Sequence, residues 1–288
     1  MKENNVANIE IKLLDLDAMV KLIKGAFSLE LWYNLVELSD ALLFKVNQRL
    51  RGMTVTDSEE LITPPQRPLV YYYGYSLLMK GSALKNLGKY HEAKHCIENY
   101  SDLSWFEDLN DEGLEVVDYF RYVSYPNRLE IELTLGNFNV MSEFITFLRE
   151  NPDEILYGVI AILKAANKHH INVDQELSIF AEQINELTHR RIDVNEVFDT
   201  LVCAYYAEQT QYCLNKQSYQ EAIHYCFLLA SLSLKYEKIK AFRKAVIWIE
   251  QLRSFTTSSQ IDTYISILKG EWQNEEVSIN GDPVHVSH

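Results

Sequence analysis

The sequence predicts an all-α protein, and three observations carry that expectation. Glycine and proline are scarce, 10 and 6 among 288 residues, while Leu, Ile, Ala, Glu and Lys are plentiful, which favours long helices with few breaks over many short strands. Apolar residues recur at helical spacing in one segment after another. A short pattern of small and aromatic residues returns along the chain at the offsets of two packed helices.

That pattern is clearest in "KGSALKNLGKYHEAKHCI", Lys80 to Ile97. Its offsets fit the tetratricopeptide unit, two antiparallel helices over about 34 residues with small residues where they press together. Gly81 would let the helices approach, Leu84 would fill the groove and Gly88 would take the turn. Tyr90 would pack over that turn, Ala93 would sit at the closest approach of the second helix, and Ile97 would follow one turn later on the same buried face.

A second copy reads "LGNFNVMSEFITFLRENP". There Gly136 and Phe138 repeat Gly88 and Tyr90, Ile145 repeats Ile97, and Pro152 stops the second helix. Met141 stands where Ala93 would be, so looser packing is expected. In the third copy, "QTQYCLNKQSYQEAIHYCFLL", Tyr219 and Ala222 repeat Tyr90 and Ala93, but Gln217 occupies the glycine position and the turn must close without glycine. Between the second and third copies, "PDEILYGVIAILKAANKHH" and "VDQELSIFAEQINELTHRR" supply one more hairpin.

The expected architecture is therefore a right-handed superhelix of degenerate tetratricopeptide-like hairpins over residues 69–272. A helical pair precedes it in 1–52, with Trp32 near its turn, and a loop broken by Pro64, Pro65 and Pro68 spans 53–68. The array closes with "KIKAFRKAVIWIEQLRSF" and "SSQIDTYISILKGEW", the last helix capped by Ser258 or Ser259. Residues 273–288 have no helical period and are read as a loose tail.

Composition narrows the function. The balance of 47% hydrophobic and 24% charged residues suits a water-soluble domain. The net charge is −14, and Ser101 to Phe120 holds seven acidic and no basic residues, a field that repels phosphate backbones and anionic lipid. No apolar run reaches the roughly 18 residues a membrane-spanning helix needs. Cys96, Cys203, Cys213 and Cys226 form no CxxC pair, and the opening "MKENNVANIEIK" lacks the apolar stretch of a secretion leader. A cytoplasmic protein with reduced thiols is expected.

Catalytic chemistry finds little to stand on. No GxSxG, GxxxxGK[ST], GxGxxG or HExxH motif occurs. His169 and His170, followed by Asp174 and Glu176, could suggest metal ligands, but adjacent helical residues point about 100° apart and do not readily share an ion. Cations near a helix C-terminus explain them better. Cys213 and Cys226 fall on buried positions of the third copy, where free cysteine acts as a small hydrophobe. No cofactor is implied.

Binding is the better-supported class. In "VYYYGYSLL", Val70 to Leu78, the residues Tyr71, Tyr72, Tyr73 and Tyr75 cannot share one helix face, so some must meet a neighbouring helix or a groove. Aligning the copies places Tyr75, Ser82, Lys85 and Asn86, and in another hairpin Gln211 and Asn215, on the inner faces of first helices. Asn86 and Asn215 hold equivalent offsets, and an inward amide can both donate to and accept from an extended peptide backbone.

The region "YYYGYSLLMKGSALKNLGKYHEAKHCIENYSDLSWF", continuing through "DEGLEVVDYFR" and "FLRENPDEIL" to "ILKAANKHHINVDQEL", resembles the helical-repeat portion of Firmicute transcription regulators with an Xre-type helix-turn-helix. That resemblance implies a sensing and dimerising module, similar to regulators that bind a short linear peptide in a concave groove. The chain opens directly on "MKENNVANIEIKLLDLDAM", without a basic helix-turn-helix ahead of the first pair, so direct DNA binding by this chain is not expected. The expectation is a non-enzymatic regulatory module that forms a homodimer and binds a peptide or protein partner. A structural adaptor without a small-ligand response, and more remotely a metal-dependent enzyme built on His169 and His170, are the alternatives.

Overall fold

The computed structural model describes residues 14–52, 64–107, 109–189 and 196–270, and among these there is no strand. The helices are α1 (Leu16–Ser28), α2 (Trp32–Leu50), α3 (Leu69–Asn86), α4 (Tyr90–Tyr100), α5 (Asp111–Leu135), α6 (Met141–Glu150) and α7 (Ile155–His169). They continue as α8 (Asp174–Ile179), α9 (Ala181–His189), α10 (Glu196–Asn215), α11 (Tyr219–Lys235), α12 (Ile239–Gln251) and α13 (Ser258–Lys269). The chain forms two compact units that divide between Glu150 and Asn151. Among the described residues, no helix is long and apolar enough to cross a membrane.

In the first unit α3 is the shared helix. Tyr72 and Ala83 join Met19, Ile23, Leu35 and Leu42 of α1 and α2, while Val70, Leu77 and Leu84 join Ala93, Ile97, Tyr100 and Phe120 of α4 and α5. A helix apolar on two sides is one packed on two sides. Side chains fix the helix starts: Asp15 caps α1 by accepting from the Ala18 N–H at 2.7 Å, and Asn110 caps α5 by accepting from the Gly113 N–H at 2.9 Å. Pro126 lies inside α5, where it removes one N–H from the helical ladder without ending the helix.

Five helix ends close in the same way. Glu30, Gly88, Gly136, Gln217 and Glu237 take left-handed φ values of 55°, 75°, 93°, 60° and 55°. Each donates its N–H to the carbonyl three residues back, and the next residue donates to the carbonyl five back, as in Lys89 to Leu84 at 2.9 Å and Ser218 to Cys213 at 2.9 Å. The residue after the bend then holds an open conformation, with ψ of 66° at Leu31, 60° at Lys89, 85° at Asn137, 69° at Ser218 and 74° at Lys238. A large apolar residue follows each time: Trp32, Tyr90, Phe138, Tyr219 and Ile239. The glycine-free turn expected at Gln217 thus closes by placing Gln217 itself in the left-handed region, at a cost of about 1–2 kcal/mol for a residue with a Cβ.

Gly81 performs the role read from the sequence, since a Cβ there would meet the Cys96 Cβ at 3.2 Å. Three local expectations are corrected. The N-cap of α13 is Thr257, neither Ser258 nor Ser259; its hydroxyl accepts from the Gln260 N–H while the Gln260 amide accepts from the Thr257 N–H. After Gly136 the chain makes a 3₁₀ turn, Phe138–Val140, before α6 begins, and this rotates Phe144, Phe147 and Leu148 into the buried face while Ile145 stays half-buried. The segment from Val173 to His189 is two short helices broken at Phe180, whose φ of −110° and ψ of 8° leave the helix while its ring is buried. The tail read over 273–288, and most of the loop read over 53–68, lie outside the described residues.

Candidate functional site

The four tyrosines at the start of α3 separate into three environments. Tyr72 is buried and donates its hydroxyl to Asp17 Oδ1 at 2.6 Å, joining α3 to the first turn of α1. Tyr73 meets Trp105 and Phe106 edge-on at 5.3 and 5.4 Å. Tyr71 and Tyr75, one turn apart, stack at 5.5 Å with their planes 15° apart, and Arg67 lies 4.4 Å over the Tyr71 ring. Burial pushes the Tyr71 and Tyr75 hydroxyls above the usual phenol range, with Tyr119 of α5 adding to the effect on both, so both remain donors at neutral pH.

Tyr71, Tyr75, Leu78, Ser82 and Lys85 follow one another at three- and four-residue steps and therefore form a single stripe along α3. At its C-terminal end the stripe lines a cleft of about 150 Å³, with Leu78, Ser82 and Lys85 facing Phe27 of α1 and Asn127 and Glu130 of α5. The Lys85 ammonium pairs with Glu130 at 2.7 Å, and the Asn127 amide donates to the Tyr100 hydroxyl at 3.0 Å. The cleft thus has an apolar floor with a charged and amide rim. Its volume falls below the roughly 300–1,000 Å³ of drug-sized pockets, which suits one side chain of a partner better than a whole small molecule.

Alongside the stripe, α5 presents Tyr119, Tyr122 and Tyr125 at three-residue steps, and Tyr119 is 52% exposed. Tyr125 donates to Glu143 at 2.9 Å, and its ring lies 5.6 Å from that of Phe147 on α6. The Tyr119 ring meets that of Phe120 edge-on at 5.2 Å. The sequence reading missed these α5 residues; the signal available was an aromatic recurring every third residue across "YFRYVSY".

Asn86 does not line the cleft. It is exposed and its amide donates to the Ser82 carbonyl of its own helix at 2.9 Å. Its counterpart Asn215 belongs to the second unit and sits in a chain of amides. Gln211 donates to Asn215 Oδ1 at 3.0 Å, Asn215 donates to Asn167 Oδ1 at 3.2 Å, and Asn167 donates to Glu208 Oε2 at 2.9 Å. This network ties α10 to α7, so the Asn215 amide is already committed on both its donor and acceptor sides. The two asparagines share an offset from equivalent turns and not an environment.

The other chemically suggestive residues are structural in their surroundings. All four cysteines are buried and unpaired, and burial pushes their thiols up, to about 11 for Cys96 and about 12 for Cys203, Cys213 and Cys226. His169 ends α7, and His170 takes the left-handed position after it, with φ of 54°. Asp174 instead accepts from Tyr212 at 2.9 Å and from Lys216 at 2.7 Å. Among the described residues no group of three His, Cys, Asp or Glu side chains is placed to hold a metal ion. No protein-family profile, curated protein or solved structure matches the chain.

Proposed function

We propose that this chain is a non-enzymatic regulatory module, a right-handed superhelix of degenerate tetratricopeptide-like hairpins that binds a short peptide or a protein segment across the α3 and α5 face of its first unit. The reading extends to the sensing and dimerising part of a transcription regulator, on the strength of the resemblance in the repeat region. The observation that carries it is the α3 stripe of Tyr75, Ser82 and Lys85, which runs beside exposed tyrosines of α5 into an apolar cleft with a polar rim. Aromatic surfaces give an extended segment much contact area at small entropic cost, and a neighbouring side-chain cleft supplies register. The five matching turns support the repeat architecture, because one hairpin cannot bury its own apolar faces and stacking completes them.

Panning a random peptide library against the purified chain tests this. Peptides recovered on the wild type are expected to lose at least tenfold in affinity on Tyr75→Ala and on Lys85→Ala. They are expected to bind unchanged to Tyr33→Ala, a control whose ring on α2 is 73% exposed. Equal loss in all three variants, or none in the first two, contradicts the assignment.

A further inference from the structure

The turn from α11 into α12 carries a charge opposite to that of the chain as a whole. Lys235, Lys238, Lys240, Arg243 and Lys244 fall within ten residues beside one acid, Glu237, in a protein whose net charge is −14. α12 buries Ala245, Trp248 and Ile249 and leaves Lys240, Arg243, Lys244 and Ile247 exposed, at offsets of three, four and seven residues, which is one stripe of a helix. Ile247 is 51% exposed, and Ile239, one turn ahead of Arg243, is 71% exposed. A basic face holding two bare isoleucines is one that a partner of opposite charge can cover and dry. Neighbouring acids leave its charge standing. Glu250 pairs with Arg253 at 3.0 Å, whereas Asp199 of α10 and Lys238 both act on the Cys203 thiol, so Lys238 is not counted in the stripe.

The same offsets recur with the opposite sign on α5. Asp111, Leu114, Glu115 and Asp118 are all exposed and stand at three, four and seven residues, as Lys240, Arg243, Lys244 and Ile247 do, and Leu114 is 52% exposed. Arg121 offsets part of this charge by pairing with Asp118 at 2.5 Å, but it is the sole Lys or Arg between Ser101 and Asn127. The undescribed residues nearest in sequence, 53–63 and Asp108, hold acids and no Lys or Arg, so their charge has the same sign. This half of α5 is separate from the half that lines the peptide cleft through Asn127 and Glu130.

We infer that the exposed face of α12 docks the N-terminal half of α5 from a second copy of this chain, with Arg243 and Lys244 against Glu115 and Asp118 and with Leu114 and Ile247 buried between the helices. This deepens the dimerising part of the reading above by naming the surfaces, and it leaves the peptide cleft alone. Each stripe covers about two helical turns, less than the roughly 800 Å² per partner of a standard interface, so the contact is weak and sensitive to salt.

Sedimentation velocity of the full chain tests it. The wild type is expected to form a larger species as its concentration rises, and raising salt from about 50 to about 500 mM is expected to weaken that association about tenfold, because exposed charges are screened. Arg243→Glu with Lys244→Glu, and separately Glu115→Lys with Asp118→Lys, are each expected to abolish it, since each leaves the two faces with like charge. An equimolar mixture of the two double variants is expected to associate again, because every α12 face then finds an α5 face of opposite sign. A wild type that is monomeric at every concentration overturns this proposal together with the dimerising reading; that result is expected if Glu271, Glu275 and Glu276 of the same chain cover α12 instead. Association that survives either double reversal, or that fails to return in the mixture, overturns the surfaces named here and leaves the dimerising reading standing. Should one double variant not fold, the other and the salt series decide.

Discussion

Phe120 lies across the backbone of Gly74. A Cβ at Gly74 would stand 2.4 Å from one carbon of the ring and 2.5 and 2.7 Å from two others, and Phe120 is fully buried. The contact lets α5 approach α3 closely enough for Tyr119 to stand beside Tyr71 and Tyr75. Gly74→Ala is therefore expected to cost about 1–3 kcal/mol, the usual penalty for overpacking a filled core. Urea denaturation measures it, and Gly74→Ala with Phe120→Leu should cost less than the two single changes added.

The left-handed residues predict a gain. Gln217 and Glu237 hold φ values of 60° and 55° with a Cβ in place, so glycine at either position should raise stability by about 1 kcal/mol. The reverse change, Gly88→Ala, should lower it by a similar amount, because Gly88 holds φ 75°. Thermal unfolding of the three variants reads both signs together.

These positions also separate what was legible in the sequence from what was not. Gly88 with Tyr90 and Gly136 with Phe138 announce their turns, because glycine at a helix end carries its own conformational reason. Glu30 before Trp32 and Glu237 before Ile239 make the same turn with no such mark, since glutamate prefers a right-handed helix and only packing holds it otherwise. The all-helical class was readable from composition and period. In the site, aligning the copies put Tyr75, Ser82 and Lys85 on one face of α3 but gave no hint of Tyr71 and Leu78 beside them, and Asn86 and Asn215 were not distinguishable, because offset specifies a helix face and not the neighbour across it. The helix break at Phe180 is signalled by no proline or glycine.

Tyr212 predicts a hydrogen-bond loss. Its hydroxyl donates to Asp174 at 2.9 Å and accepts from the buried Val173 N–H at 2.9 Å, holding the segment after α7 against α10. Tyr212→Phe leaves that N–H without its partner and should cost about 1–3 kcal/mol, with faster amide exchange at Val173 and Asp174.

Acid should weaken the second unit in two stages. Burial lowers the His224 pKa below its ordinary 6.5, so the unfolded chain takes up a proton there before the folded one, and stability falls as pH drops below about 6.5. For Asp174 burial works upward, but hydrogen bonds from Lys216 and Tyr212 and the Lys216 charge outweigh it, leaving the pKa below 3.8. Its contribution is present above that value and is lost as pH falls through the folded pKa. His224→Leu should flatten the dependence of the melting temperature between about pH 5 and 7 while leaving the later loss in place.

The most direct measurement places a benzophenone-bearing phenylalanine at position 119, beside the α3 stripe, and another at position 33 on α2, and irradiates each with a peptide recovered from the library. If the α3 and α5 face is the docking surface, the peptide is captured at 119 and not at 33, and excess unlabelled peptide abolishes the capture. Capture at 33 alone, or equally at both, would contradict it.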